Sequence, residues 1–167
     1  MVEVSIPKLR EIFELGRSEG NATLLGPRMR RDEAAVWLYL IMQARRYLEW
    51  GTGGTTRIAS WRSNLPSRLA PPLSVTSVET SSEFLPELRN SSEVRRAEAA
   101  GRLQILAGEG RTRKWGFPVG FTTLNDQEKA QHARAIVERV NECCFDLVLV
   151  DGRWRIASAL HALRLAD

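Results

Sequence analysis

The feature that most restricts how this chain can fold is the run Tyr47-Leu48-Glu49-Trp50-Gly51-Thr52-Gly53-Gly54-Thr55. Residues 47–50 suit a short strand, and the glycines stop it abruptly. A helical pattern begins at Thr55, with Ile58, Ala59 and Trp61 placed to face inward. A strand that turns through glycines directly into a helix is a natural opening unit for an open parallel sheet. Glycine there supplies positive φ and lets a ligand approach the main chain with no Cβ in the way. The helix start adds free N–H groups facing the same space.

The remaining sequence continues the alternation. Residues 6–15 read as a short amphipathic helix ended by Gly16 and Gly20. Asp32 can cap a second helix to about Arg46, with Ala35, Val36, Leu38, Tyr39 and Met42 as its apolar stripe. Three prolines make 65–72 a loop, and 73–79 follows as the second strand. Ser81 or Ser82 can cap a helix through Leu85, and Ser92 another through Ala100, with Gly101 as its stop. The third strand is 103–107, and 108–125 is a long irregular loop containing Trp115-Gly116-Phe117-Pro118, a lid or an aromatic plug. A helix over 126–142 precedes 145–150, whose nearly unbroken apolar character suits a strand covered on both faces. A last helix spans 154–165. The expected fold is therefore α/β, a doubly wound, mainly parallel sheet of about four strands with helices on both faces. Residues 1–167 form one domain in this reading, with 1–46 an N-terminal helical segment and 47–167 the core.

In such a sheet, ligands bind at the carboxyl ends of the strands, where the unusual residues of this chain fall. Glu79 ends the second strand in Val78-Glu79-Thr80, and an acid there can accept both hydroxyls of a ribose. The segment 47–56 resembles the first motif of class I S-adenosylmethionine-dependent methyltransferases, and Ser77-Val78-Glu79-Thr80 their ribose-binding motif. Together with Lys114-Trp115-Gly116-Phe117-Pro118 and Asp146-Leu147-Val148-Leu149-Val150-Asp151-Gly152-Arg153-Trp154-Arg155, they are similar to a little-characterised bacterial and algal methyltransferase-like group. The resemblance covers about residue 33 onward. It implies that S-adenosylmethionine is the cofactor. Glu49, Gly51, Thr52, Gly53 and Gly54 would hold its amino-acid end, Glu79 and Thr80 its ribose, and Glu109 its adenine edge. Asp151 would face the methyl group as general base or orienting charge. Arg153 and Arg155 either reach a carboxylate or phosphate acceptor, or pair with Asp151 or Asp146. Since methyl transfer asks mainly for alignment, positioning can supply most of the rate.

The chain also departs from that pattern. A complete class I core has more strands than are legible here, which leaves 145–150 with an expected open edge that a second copy or another partner would cover, unless the N-terminal segment folds across it. Net charge is +4, spread over arginine doublets without an aromatic strip, so specific nucleic-acid binding is not expected. No apolar run approaches the roughly 18 residues of a membrane span, and residues 1–7 lack a signal-peptide pattern, which makes the cytoplasm the expected location. Cys143 and Cys144 read as free thiols at a helix end, one buried and one not, and no Cys or His spacing suits a metal. His132 and His161 need no function. The leading function is methyl transfer to a small or carbohydrate-like acceptor. The alternatives are a non-catalytic module that keeps the nucleoside cradle and a nicotinamide-dependent oxidoreductase. Against the last, the turn lacks the G-x-G-x-x-G spacing.

Overall fold

The computed structural model describes residues 29–108, 112–113, 117–120, 123–152 and 154–165. The helix predicted over 6–15, Glu109, Gly110, Trp115 and Arg153 lie outside the described residues. Four parallel strands form the sheet: β1 (Arg46–Trp50), β2 (Ser74–Glu79), β3 (Leu103–Ala107) and, after a short antiparallel ladder of β4 (Thr112–Arg113) with β5 (Phe117–Pro118), β6 (Leu147–Val150). Their order is β3-β2-β1-β6. This is the α/β sheet expected, and β6 is its outermost strand among the described residues, with all four of its residues half-buried.

Helices cover both faces. On one, α1 (Arg31–Gln43), α2 (Gly54–Ser63), α3 (Leu85–Leu88) and α4 (Ser92–Ala99) bury Trp37, Ile41, Ala59, Leu88 and Val94 against Tyr47, Val75 and Leu103. On the other, α5 (Asp126–Val137) and α6 (Arg155–Leu165) enclose Leu48, Trp50, Val78, Phe145 and Leu165, with Val140. The alternation along β1 thus sends Tyr47 and Glu49 to the first face and Leu48 and Trp50 to the second.

Several expected boundaries move, each for a tertiary reason. α1 ends at Gln43 rather than near Arg46, because the Arg45 and Arg46 amides donate to the Asp146 carboxylate at 2.6 and 2.9 Å, which pulls them out of the helix. It begins at Arg31 rather than after an Asp32 cap, and the Arg30 amide donates to the Glu33 carboxylate at 3.0 Å. Its buried stripe is Ala34, Trp37, Leu38 and Ile41, while the expected Val36 and Tyr39 are 61% and 57% exposed. Both stripes share Leu38, and the one that buries Trp37 edge-on to Tyr47, at 6.1 Å between rings, is the one formed. Ser81 leads into a single 3-10 turn (Ser82–Phe84), and Ser91 rather than Ser92 precedes α4. Gly101 ends that region at φ +65°, as expected. Helix α5 stops at Val137, five residues before the expected 142, and the connector that follows is tied at Val140 by the His161 ring at 3.0 Å. Strand β6 starts at Leu147 rather than Phe145, although Phe145 is still buried beneath the Arg46 guanidinium. Cys143 and Cys144 both lie exposed in that connector rather than at a helix end. Among the described residues no helix is long and apolar enough to cross a membrane.

The loop with three prolines is held by a buried arginine that no pattern announced. Arg62 near the end of α2 is fully buried, and its Nη2 donates to the carbonyls of Pro71 at 2.7 Å and Met42 at 3.1 Å. It joins the end of α1 to the loop entering β2.

At the carboxyl edge the strands are laced together beyond their formal ends. Asp151 N donates to Trp50 O at 3.0 Å, Gly51 N to Val78 O at 2.8 Å, and Gly108 N to Glu79 O at 2.5 Å. The closest approach is between Gly51, at φ +98°, and Gly152. A Cβ on Gly152 would lie 3.0 Å from the main-chain atoms Gly51 N, Trp50 C and Trp50 O, none of which can move aside without shifting β1. Gly152→Ala should therefore cost about 1–3 kcal/mol, the usual range for overpacking a tight site. Gly53→Ala, whose Cβ would meet nothing within 4 Å, should cost well below that. Urea denaturation followed by circular dichroism checks the pair, and equal losses would contradict the close-approach account.

Candidate functional site at the carboxyl edge of the sheet

Glu49 and Glu79 lie on the same face of adjacent strands, and their environments separate them. Glu49, in register with Ser77 across the β1–β2 ladder, is fully buried. Its Oε2 accepts the Tyr47 hydroxyl at 2.9 Å and its Oε1 the Ser77 hydroxyl at 2.7 Å. Burial pushes its carboxyl up from the ordinary range. Hydrogen bonds from Thr56, Ser77, Thr55 and Tyr47 oppose that rise without cancelling it. Burial, and then the charge of Glu49, raises the Tyr47 phenol well above its usual value, so it stays protonated and donates. Thr56 completes the arrangement, since its hydroxyl accepts from the Gly53 amide at 2.9 Å. Glu49 thus supports the glycine turn from beneath, through the first turn of α2.

Glu79 ends β2 and is 7% exposed. Its Oε2 accepts both the amide of Thr52, at 3.1 Å, and the Thr52 hydroxyl. Its Oε1 accepts the Ser81 amide at 2.7 Å and the Thr80 hydroxyl at 3.4 Å. The glycine turn is thereby bound to the end of the neighbouring strand. Above it the Cα of Gly53 borders open space, and α2 begins at Gly54 with its first-turn amides. The edge thus sets a carboxylate that already accepts hydroxyls beside the open space at Gly53.

Asp151 follows β6 and lies beside the turn through the Gly51–Gly152 approach. Its side chain is 46% exposed and pairs with Arg155, Nη2 to Oδ1 at 3.2 Å. Of the two readings of Arg155, the pairing with Asp151 is the one formed, whereas Asp146 is occupied by main-chain amides. The structure therefore brings Glu49, Gly51, Thr52, Gly53, Gly54, Glu79, Thr80 and Asp151 to one edge. Glu109 and Arg153 fall outside the described residues. Among the described residues no cluster of three or more His, Cys, Asp or Glu side chains could hold a metal ion. The surroundings of Glu49 are what sequence reasoning missed. Tyr47 shares its face by simple alternation, but Ser77 becomes visible only with the strand register, and Thr56 only with the turn geometry.

Because the folded protein favours the protonated form of Glu49, this residue contributes stability at low pH. That contribution is lost as pH rises from the unfolded value, about 4.3, through the higher folded value. Glu49→Gln, which carries no charge and still hydrogen-bonds to hydroxyls, should gain stability relative to the native protein between pH 4.5 and neutrality. Chemical denaturation of both proteins across that interval checks this, and a difference independent of pH would refute it.

No family model and no curated protein matches the sequence. Among solved structures, the chain is similar to a methyltransferase-like protein from Silicibacter pomeroyi, with a TM-score of 0.58 and 26% sequence identity. The match covers 81% of this chain and 66% of that one, so this chain spans just under two thirds of that protein's length. The parallel sheet with its flanking helices is thus a methyltransferase-type, Rossmann-like fold.

Proposed function

We propose that this chain binds S-adenosylmethionine at the carboxyl edge of its sheet and transfers the methyl group to a small or carbohydrate-like acceptor. The observation that carries the reading is Glu79. Its carboxylate stands at the end of β2, beside the glycine turn, and already holds a hydroxyl on each oxygen. A ribose diol needs two such acceptors. The open space beside Gly53 leaves room for a ligand against the main chain, and the amides starting α2 suit the carboxylate of an amino acid. The residues therefore fit the cofactor, which when bound would supply an electrophilic methyl group on a sulfonium centre. Glu79 and Thr80 would hold its sugar, and the Gly51–Gly54 turn its amino-acid end. Glu49, sealed beneath, would act by fixing that turn. Likeness to a methyltransferase-like protein supports the same reading.

Asp151 would lie near the methyl group, where its charge can orient the sulfonium. As a general base it must first leave Arg155, which suits it less to that role in its present pairing. Arg155, 68% exposed, keeps donors beyond those used on Asp151 and would favour an anionic acceptor. The Asp151–Arg155 pair also favours a second reading, a module that keeps the nucleoside cradle without turnover. Consumption of the methyl donor against pooled metabolites separates the two, and titration with NAD tests the oxidoreductase reading.

Glu79→Ala should weaken binding of S-adenosylhomocysteine by about 1.5–3 kcal/mol, the range for lost hydrogen bonds to a charged group. Calorimetric titration measures it, with circular dichroism to verify the fold. Unchanged affinity in a folded variant would remove Glu79 from the site.

A further inference from the structure

A carboxylate offers about four lone-pair directions, and in Glu79 all are taken, two by amides and two by hydroxyls. The four donors are not equivalent. The Thr52 and Ser81 amides belong to main chain set by the turn and the strand end. The Thr52 and Thr80 hydroxyls rotate about single bonds and can turn to water instead. A vicinal diol, the recognisable feature of a nucleoside sugar, brings two O–H donors of the same kind, so it enters by exchange rather than by addition.

The two hydroxyls also differ. Thr80 is the next residue to Glu79, its hydroxyl is the more distant donor at 3.4 Å, and the Ser81 amide holds that oxygen in any case. Giving up Thr80 moves nothing. Thr52 comes from another element and sits at the centre of the turn. On one side Gly51 is wedged against Gly152, and on the other Gly53 borders open space. Its side chain is the part of the turn that can be released without disturbing β1.

We propose that Thr52 is a latch residue: its hydroxyl, beside its own amide, holds the glycine turn on Glu79, and the hydroxyl alone yields its place to the diol of an incoming nucleoside. This rests on the nucleoside reading of the site given above. The latch positions the turn and lowers apparent affinity, because every binding event must displace it. It is a positioning residue and has no part in the transfer itself.

The test is calorimetric titration of S-adenosylhomocysteine into the full chain as native protein, Thr52→Val, Thr52→Ala and Thr52→Ser, paired with amide exchange at 51–53 without ligand. Removing the hydroxyl should tighten binding about threefold to tenfold in the valine and alanine variants, the reach of one net hydrogen bond. Both should also exchange faster at 51–53, while serine, which keeps the hydroxyl, should match the native protein in both respects. Equal or weaker binding by valine and alanine, with the native protein still binding, overturns the latch and leaves the nucleoside reading standing. Exchange unaffected by loss of the hydroxyl overturns the latch as well. No binding by any of the four folded proteins overturns both together.

Discussion

The close approach of Gly51 to Gly152 governs this edge of the molecule. Two turns that leave adjacent parallel strands would ordinarily diverge as their helices set off toward opposite faces. Here the absence of both side chains lets the main chains touch, with a prospective Cβ on Gly51 only 2.7 Å from Gly152 N. That contact carries the hydrogen bond from Asp151 N to Trp50 O and lets Gly51 N reach back to Val78 O. Three strands are therefore joined at one point. Everything of chemical interest hangs from it: Asp151 on one side, Thr52 on the other, and Glu79 opposite Thr52.

The two glutamates show how a sheet can give one residue type two tasks. They differ by one pleat along the same face, yet Glu49 is enclosed by side-chain hydroxyls and Glu79 is held by two main-chain amides as well as two hydroxyls. An acid surrounded by hydroxyls and shut from water is costly to ionise, and burial prevails over its four hydrogen-bonding neighbours. Such a group suits a fixed support. At Glu79 the two amides are fixed by the main chain, and the other two directions go to hydroxyls that can rotate away. The distinction follows from where α2 begins. Thr55 and Thr56 of its first turn cover Glu49, while Thr52, two residues before the helix, reaches Glu79.

Much of this was legible in the sequence because the relevant signals are local. The glycine turn marks the end of β1, the apolar run 145–150 contains β6, which is shorter and only half-buried, and strand β3 matched its predicted limits at 103 and 107. Glu79 was identifiable because the end of the second strand is a fixed place in this topology. The failures came where distant residues decided. The end of α1 is set by Asp146, about 100 positions away, and periodicity has no access to that. Its expected apolar stripe through Val36 and Tyr39 is not the buried one, and what turns the helix to the stripe through Trp37 is the contact with Tyr47. The burial of Arg62 depended on carbonyls from two separate segments. At the carboxyl edge, the places of these residues at strand ends were readable but their hydrogen-bond partners were not. Glu49 was expected to face the ligand, and only the register with Ser77 reveals how completely it is occupied.

The pairing of Asp151 with Arg155 bears on which acceptors the edge could serve. In the proposed transfer, a methyl acceptor that carries an ionisable proton needs a base, and one oxygen of Asp151 is already engaged by Arg155. An acceptor that is itself an anion changes the balance. It could draw Arg155 onto its own charge through the fork of the guanidinium, which would free Asp151 of that pairing where the proposed transfer would occur. Substrate charge and base availability would then be coupled by one arginine at the start of α6. A neutral acceptor gains nothing from that exchange and meets a base still engaged. Under the proposed methyl transfer, this pairing would favour anionic acceptors through the release of Asp151 as well as by direct attraction.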